Sequence, residues 1–138
     1  MGYATMRVYS AAERLRVLVD ELRPHLKRGF ANMFRHVDDA VDSALLNIAE
    51  GSDCKFPGRQ IEFFDIARNS ANEAGSGLRM LGKQRAFGDQ SVLPAVGVAF
   101  TMTKMLSTLM QTVAARDPVA PTLRDPPLDP APPPNQPQ

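Results

Sequence analysis

The chain has 138 residues, 43% of them apolar, with one cysteine, no tryptophan and a formal net charge of +1. So even a charge balance excludes a global field that would gather nucleic acid or anionic lipid. A lone cysteine excludes an intramolecular disulfide. Nine of the twelve prolines follow Arg116, so the foldable part is one domain, residues 1–116. Residues 117–138 read as a disordered proline-rich tail.

The first predicted helix runs from Thr5 to Leu22. Val8, Ala12, Leu15, Val19 and Leu22 recur every three or four residues and form one apolar stripe. Pro24 lacks a backbone donor and disfavours helix at Arg23, so the helix ends there. His25 to Asn32 is a connection with Gly29 as its flexible point. The second helix covers Met33 to Glu50, with a stripe of Phe34, Val37, Val41, Ala44, Leu45 and Ile48. Asp38, Asp39 and Asp42 mark its solvated side. Gly51 fits the left-handed cap just past a helix C-terminus.

After a loop from Gly51 to Gly58, Pro57 suits the first turn of a third helix, Arg59 to Gln84. Phe64, Ala67, Ala71, Ala74, Leu78 and Leu81 alternate spacings of three and four, as in the seam of a helical bundle. Gly75, Gly77 and Gly82 each cost about 1 kcal/mol against alanine in a helix interior, which implies tight packing or a local bend. Ser91 caps a fourth helix, Ser91 to Ala115. Its expected face is Leu93, Val96, Phe100, Thr103, Leu106, Met110 and Val113. Its wide apolar content predicts the most buried helix, while its polar interruptions argue against a membrane span. The expected fold is therefore all-α: an antiparallel up-down-up-down four-helix bundle.

Charge is unevenly placed. Met1 to His36 carries a net +4 and Val37 to Gly58 a net −4. These segments suit a contact across antiparallel helices, or across a subunit boundary. Arg7, Arg14, Arg16, Arg23, Lys27, Arg28 and Arg35 form one basic group, and Arg79, Lys83 and Arg85 a second. The second group complements a helix C-terminal dipole. Both also qualify as a phosphate-binding rim for nucleic acid.

Ser43, Asn47 and Glu50 fall near one face of the second helix, within reach of Arg68, Ser70 and Glu73 on the third. Buried polar groups need partners. The set is expected to be an interhelical network fixing register, with ligand or partner contact as the alternative. On that reading Glu50→Ala costs roughly 1–3 kcal/mol.

No catalytic constellation is evident. His25 and His36 are the two histidines, and no Glu-x-x-His pair accompanies them, so no metal or cofactor is expected. Cys54 has no neighbouring histidine to serve as base. Pro118-x-x-Pro121, Pro127-x-x-Pro130 and Pro134-x-x-Pro137 match extended polyproline segments, which also serve as docking motifs. With no apolar signal core at the N-terminus, the expected location is the cytoplasm.

The run Ser43-Ala44-Leu45-Leu46-Asn47-Ile48-Ala49-Glu50-Gly51 resembles the Ser-Ile-x-x-Asn-Ile-Ala-Glu-Gly signature of the bacterial four helix bundle protein family. Founding members of that family are encoded in intervening sequences of large-subunit ribosomal RNA genes. Glu62-Phe63-Phe64, Ile66-Ala67-Arg68-Asn69-Ser70 with Glu73, and Phe87-Gly88 are similar to further family segments. The likeness covers Tyr9 to Val113, while Asn69 stands where the family has glycine and the proline tail is not a family feature.

The resemblance implies a bundle without enzymatic activity that assembles as a ring of identical subunits, five in number; the apolar width of the fourth helix and the alanine seam of the third point to a scaffold or adaptor for a macromolecular partner. The resemblance also implies a likeness in fold to the accessory proteins of diversity-generating retroelements. Those bind a reverse transcriptase and nucleic acid, so structured RNA or a nucleic-acid enzyme is the alternative partner. No membrane and no small-molecule substrate are expected.

Overall fold

The computed structural model describes residues 1–116. The tail, including its three Pro-x-x-Pro motifs, lies outside the described residues. Four helices follow in order: α1 (Tyr3–Leu22), α2 (Ala31–Asp53), α3 (Pro57–Lys83) and α4 (Leu93–Arg116). A single 3-10 turn, Arg23–His25, contains Pro24 and closes α1 where the missing proline donor requires it. Among the described residues there is no strand.

Each helix packs on two others: α1 and α3 each lie against both α2 and α4. The stripes expected on α1 and α3 are buried in full, and that on α2 is buried except for half-exposed Leu45. Phe64, Phe87, Leu15, Ile48 and Leu78 are among the largest fully buried side chains. Phe87 meets Phe34 edge to face, with ring centroids 5.6 Å apart. The amide of Lys27 donates to the carbonyl of Ala86 at 2.8 Å, so the α1–α2 and α3–α4 connections meet at one end of the molecule.

The α3 glycines mark close packing without a break, since the helix is continuous to Lys83. A Cβ on Gly75 would stand 2.9 Å from the Phe100 ring, and one on Gly77 would stand 2.8 Å from Val37. Removing those carbons lets α4 and α2 approach from either side.

Helix α4 differs from expectation in two ways. Its buried seam is Ala95, Ala99, Met102, Leu106, Leu109 and Val113, together with Val96. Of the expected face, Val96, Leu106 and Val113 are buried, Leu93 is 71% exposed, and Phe100, Thr103 and Met110 are half-buried. The alanine-rich α3 seam selects small partners such as Ala99, which turns the polar stripe of Thr101, Lys104, Thr108 and Gln111 to solvent. Nor is α4 the most buried helix. By length and composition it is apolar enough to cross a membrane, and only a third of its most apolar window is buried in the bundle.

Helix α3 ends in a left-handed cap. Ala86 N–H donates to Leu81 O and Arg85 N–H to Gly82 O, both at 3.0 Å, with Arg85 at φ 57°. This is the Schellman arrangement, whose left-handed position glycine usually fills.

Candidate functional site

The two long polar features of the bundle lie on opposite sides of α2. Toward α3, Ser43 Oγ and Ser70 Oγ are 2.8 Å apart, and Ser70 is buried. Asn47 Nδ2 donates to the Ser43 carbonyl at 2.8 Å and to its hydroxyl at 3.3 Å. These three residues satisfy one another, as polar groups shielded from water require.

The remaining members of the expected network separate from it. Glu50 and Glu73 are exposed and make no hydrogen bond or ion pair among the described residues. Glu50 therefore does not clasp α3, and Leu46 beside it is also turned outward. Arg68 faces the other neighbour: it donates to Ser107 Oγ on α4 at 3.0 Å and pairs with Asp65 within its own helix. A register network survives only as Ser43, Asn47 and Ser70, because position 50 falls on the solvated side of the longer α2.

Gly51 is not a helix cap. Helix α2 continues to Asp53, and Gly51 is buried within it. A Cβ there would lie 2.6 Å from Phe64 Cε1, closer than real Cβ contacts come. Its carbonyl accepts from Gln60 Nε2 at 2.9 Å. The glycine is needed for proximity to α3. Among the described residues the left-handed positions are Gly29, Gly88 and Arg85.

Toward α1, α2 is joined by charge. Arg16 binds Asp38 by a short hydrogen bond, Asp20 at 2.9 Å and Asp42 at 3.0 Å. Arg23 spans both Asp38 oxygens at 2.8 Å, holds Asp20 at 2.8 Å, and lies 5.0 Å over the Phe34 ring. The Arg23 hydrogen bonds hold the Asp38 carboxyl below its ordinary value. Burial opposes the shift and Arg16 reinforces it. Asp20 is lowered likewise, first by Arg23. Burial works against the charge on Arg16, yet its bonds to Asp38 and Asp20 raise its pKa.

This cluster corrects the first basic group. Arg16 and Arg23 are paired with carboxylates of the same chain and are not free for phosphate. Arg14, Lys27, Arg28 and Arg35 are exposed, with Arg35 bound to Asn32 at 2.8 Å. Asp38, expected on the solvated side, is half-buried against α1. The sequence signal was present: Arg16 and Asp20 share one stripe of α1 that Arg23 continues into the 3-10 turn, and Asp38 and Asp42 lie one turn apart on α2.

The second basic group converges. Arg79, Lys83 and Arg85 line one open pocket of about 460 Å³ at the α3–α4 turn, together with Asp89, which pairs with Arg85 at 2.7 Å. Cys54 Sγ lies 3.5 Å from the Phe56 carbonyl. Among the described residues no group of three His, Cys, Asp or Glu side chains is placed to hold a metal. Set against protein-family models, curated proteins and solved structures, the chain matches none of them.

Proposed function

We propose that the chain is a non-enzymatic helical scaffold, an up-down-up-down bundle that assembles into a ring of identical subunits and presents that ring to a macromolecular partner. The observation that carries this reading is apolar surface left outside the core. Only a third of the most apolar window of α4 is buried in the bundle, and Phe100, Met105 and Met110 keep part of their apolar surface outside the core. Tyr3, Met6, Leu46 and Leu93 are each more than half exposed. Contiguous exposed apolar residues mark interaction surfaces, and Tyr3 and Met6 stand together with Met105 at one groove.

The alternating helix directions draw support from the α2–α3 contacts. Val37 lies by Gly77, Ser43 by Ser70 and Gly51 by Gln60, so numbers rise on one helix as they fall on the other. A structural role for the conspicuous polar residues fits their partners. Ser43, Ser70 and Asn47 bond one another, with neither histidine nor carboxylate to activate a hydroxyl. Five subunits is the number implied by the family resemblance of residues 43–51.

Sedimentation velocity at about 10 µM tests the proposal. The expected result is one assembled species; a monomer at that concentration overturns it.

A second reading, a nucleic-acid-binding accessory protein, rests on the pocket shared by Arg79, Lys83 and Arg85. Affinity for structured RNA would then fall steeply with salt, and Arg79→Glu with Lys83→Glu would abolish it. Absence of binding at low salt ends that reading.

A further inference from the structure

The exposed face of α2 presents one leucine between two carboxylates. Leu46 is 66% exposed. Asp42 and Glu50 stand one turn before and one turn after it, on the same stripe and also exposed. Asp42 is held by Arg16 on one side only, and Glu50 by nothing among the described residues. An exposed leucine centred in an acidic stripe is a poor use of a solvated face, unless the face is covered.

A groove of complementary form lies between α1 and α4. It is lined by Tyr3, Met6, Arg7, Ser10, Ala11 and Met105, with a volume of about 550 Å³. Its walls are long and apolar, and Ser10 and Ala11 give it a low floor. Arg7 lies one turn before this floor, and Arg14 one turn after Ser10. Both arginines are exposed, and neither pairs with a carboxylate among the described residues.

The two surfaces agree in spacing as well as charge. Arg7 and Arg14 are seven residues apart, and Asp42 and Glu50 eight. At the helical rise these are distances of about 10.5 and 12 Å. When α1 and α2 of different copies run in opposite directions, Arg7 meets Glu50, Arg14 meets Asp42, and Leu46 falls on Ser10 and Ala11. A branched side chain then enters a gap floored by small ones, in the manner of a knob in a hole.

We infer that the occupant of the α1–α4 groove is Leu46 of a second copy of this chain, flanked by Asp42–Arg14 and Glu50–Arg7 pairs. The inference rests on the scaffold reading and identifies its contact. The two halves are different surfaces of one subunit, so the contact is heterologous. Repeated from copy to copy, such a contact closes into a ring when its rotation permits. It also gives the resemblance-bearing segment a use at both faces: Ser43, Asn47 and Gly51 set α2 against α3, while Leu46 and Glu50 set it against the neighbouring subunit.

The test is sedimentation equilibrium of the full chain and four variants, with circular dichroism of each. Leu46→Asp is expected to weaken assembly by about thirtyfold or more, as loss of a central anchor does. Arg7→Glu and Glu50→Arg should each weaken it about tenfold at low salt, and the combined variant should recover most of that loss. All three positions are on the surface, so helicity should be unchanged; if Leu46→Asp unfolds, the charge-exchange pair decides alone. Wild-type-like assembly of folded Leu46→Asp, or failure of the combined variant to recover, overturns the contact and leaves the scaffold reading standing. A monomeric wild-type chain removes the scaffold reading itself.

Discussion

Helix α2 is fastened to its two neighbours by opposite means. Against α3 it uses smallness: Gly51 under Phe64, Gly77 by Val37, alanines along the seam, and a pair of hydroxyls with an amide. Against α1 it uses charge, two arginines among three aspartates at the edge of the core. Where the backbones come closest there is no room to solvate an ion, and only small neutral groups can satisfy one another. Where water still reaches, charges keep part of their hydration and a network adds direction at lower desolvation cost. The polar residues of a bundle are thus sorted by how near the neighbouring backbone lies.

That contrast can be broken at either side. The largest effect is expected at Gly51. Gly51→Leu has no space beneath Phe64 and should cost about 3 kcal/mol by overpacking, read from chemical denaturation. Gly51→Ala should also destabilise, although alanine is the better helix former. On the other side, Asp38→Ala removes the acceptor shared by Arg16 and Arg23 and should cost roughly 1–2 kcal/mol at neutral pH. This loss depends on pH with a definite sign. The Asp38 carboxyl ionises below its ordinary value in the folded chain, so its contribution is present above the unfolded value of about 3.9 and is lost as pH falls through the folded one. Stability curves of wild type and Asp38→Ala should therefore converge as pH drops below about 4, and stay parallel at higher pH.

Smaller effects sharpen the picture. Arg85→Gly relieves a left-handed residue and should stabilise by about 0.5–1 kcal/mol, since the exposed Arg85–Asp89 pair it removes is worth little. Glu50→Ala should change the stability of the dissociated, single-copy chain least, within about 0.5 kcal/mol of wild type. A drop of several degrees in the dissociated chain would return Glu50 to the interior.

The sequence disclosed the helices and most of the core because α1, α2 and α3 carry stripes with polar backs. Helix α4 has a polar back, Thr101, Lys104, Thr108 and Gln111, but apolar residues beside it such as Phe100 and Met110 widen the apparent stripe, so its length was readable and its rotation was not. Gly51 shows a second limit. A glycine after an apolar run signals a cap or a close approach equally well, and only the position of Phe64, thirteen residues on, decides between them. The cap of α3 was invisible for the opposite reason, since an arginine occupies the place where glycine is expected. In the polar set, Ser43 with Ser70 was legible from spacing, whereas Glu50 and Glu73 fell on the outer side by a fraction of a turn. Arg16 and Arg23 stood in the sequence as generic basic residues. Their partners became evident only by matching the stripe of α1 with that of α2.

The central claim, that this bundle leaves apolar surface exposed in order to join copies of itself, is tested most directly by native mass spectrometry of the full chain. The account expects one closed species at a fixed multiple of the 15.1 kDa subunit, persisting on dilution into the low micromolar range. A spectrum of 15.1 kDa monomers alone under those conditions would contradict it.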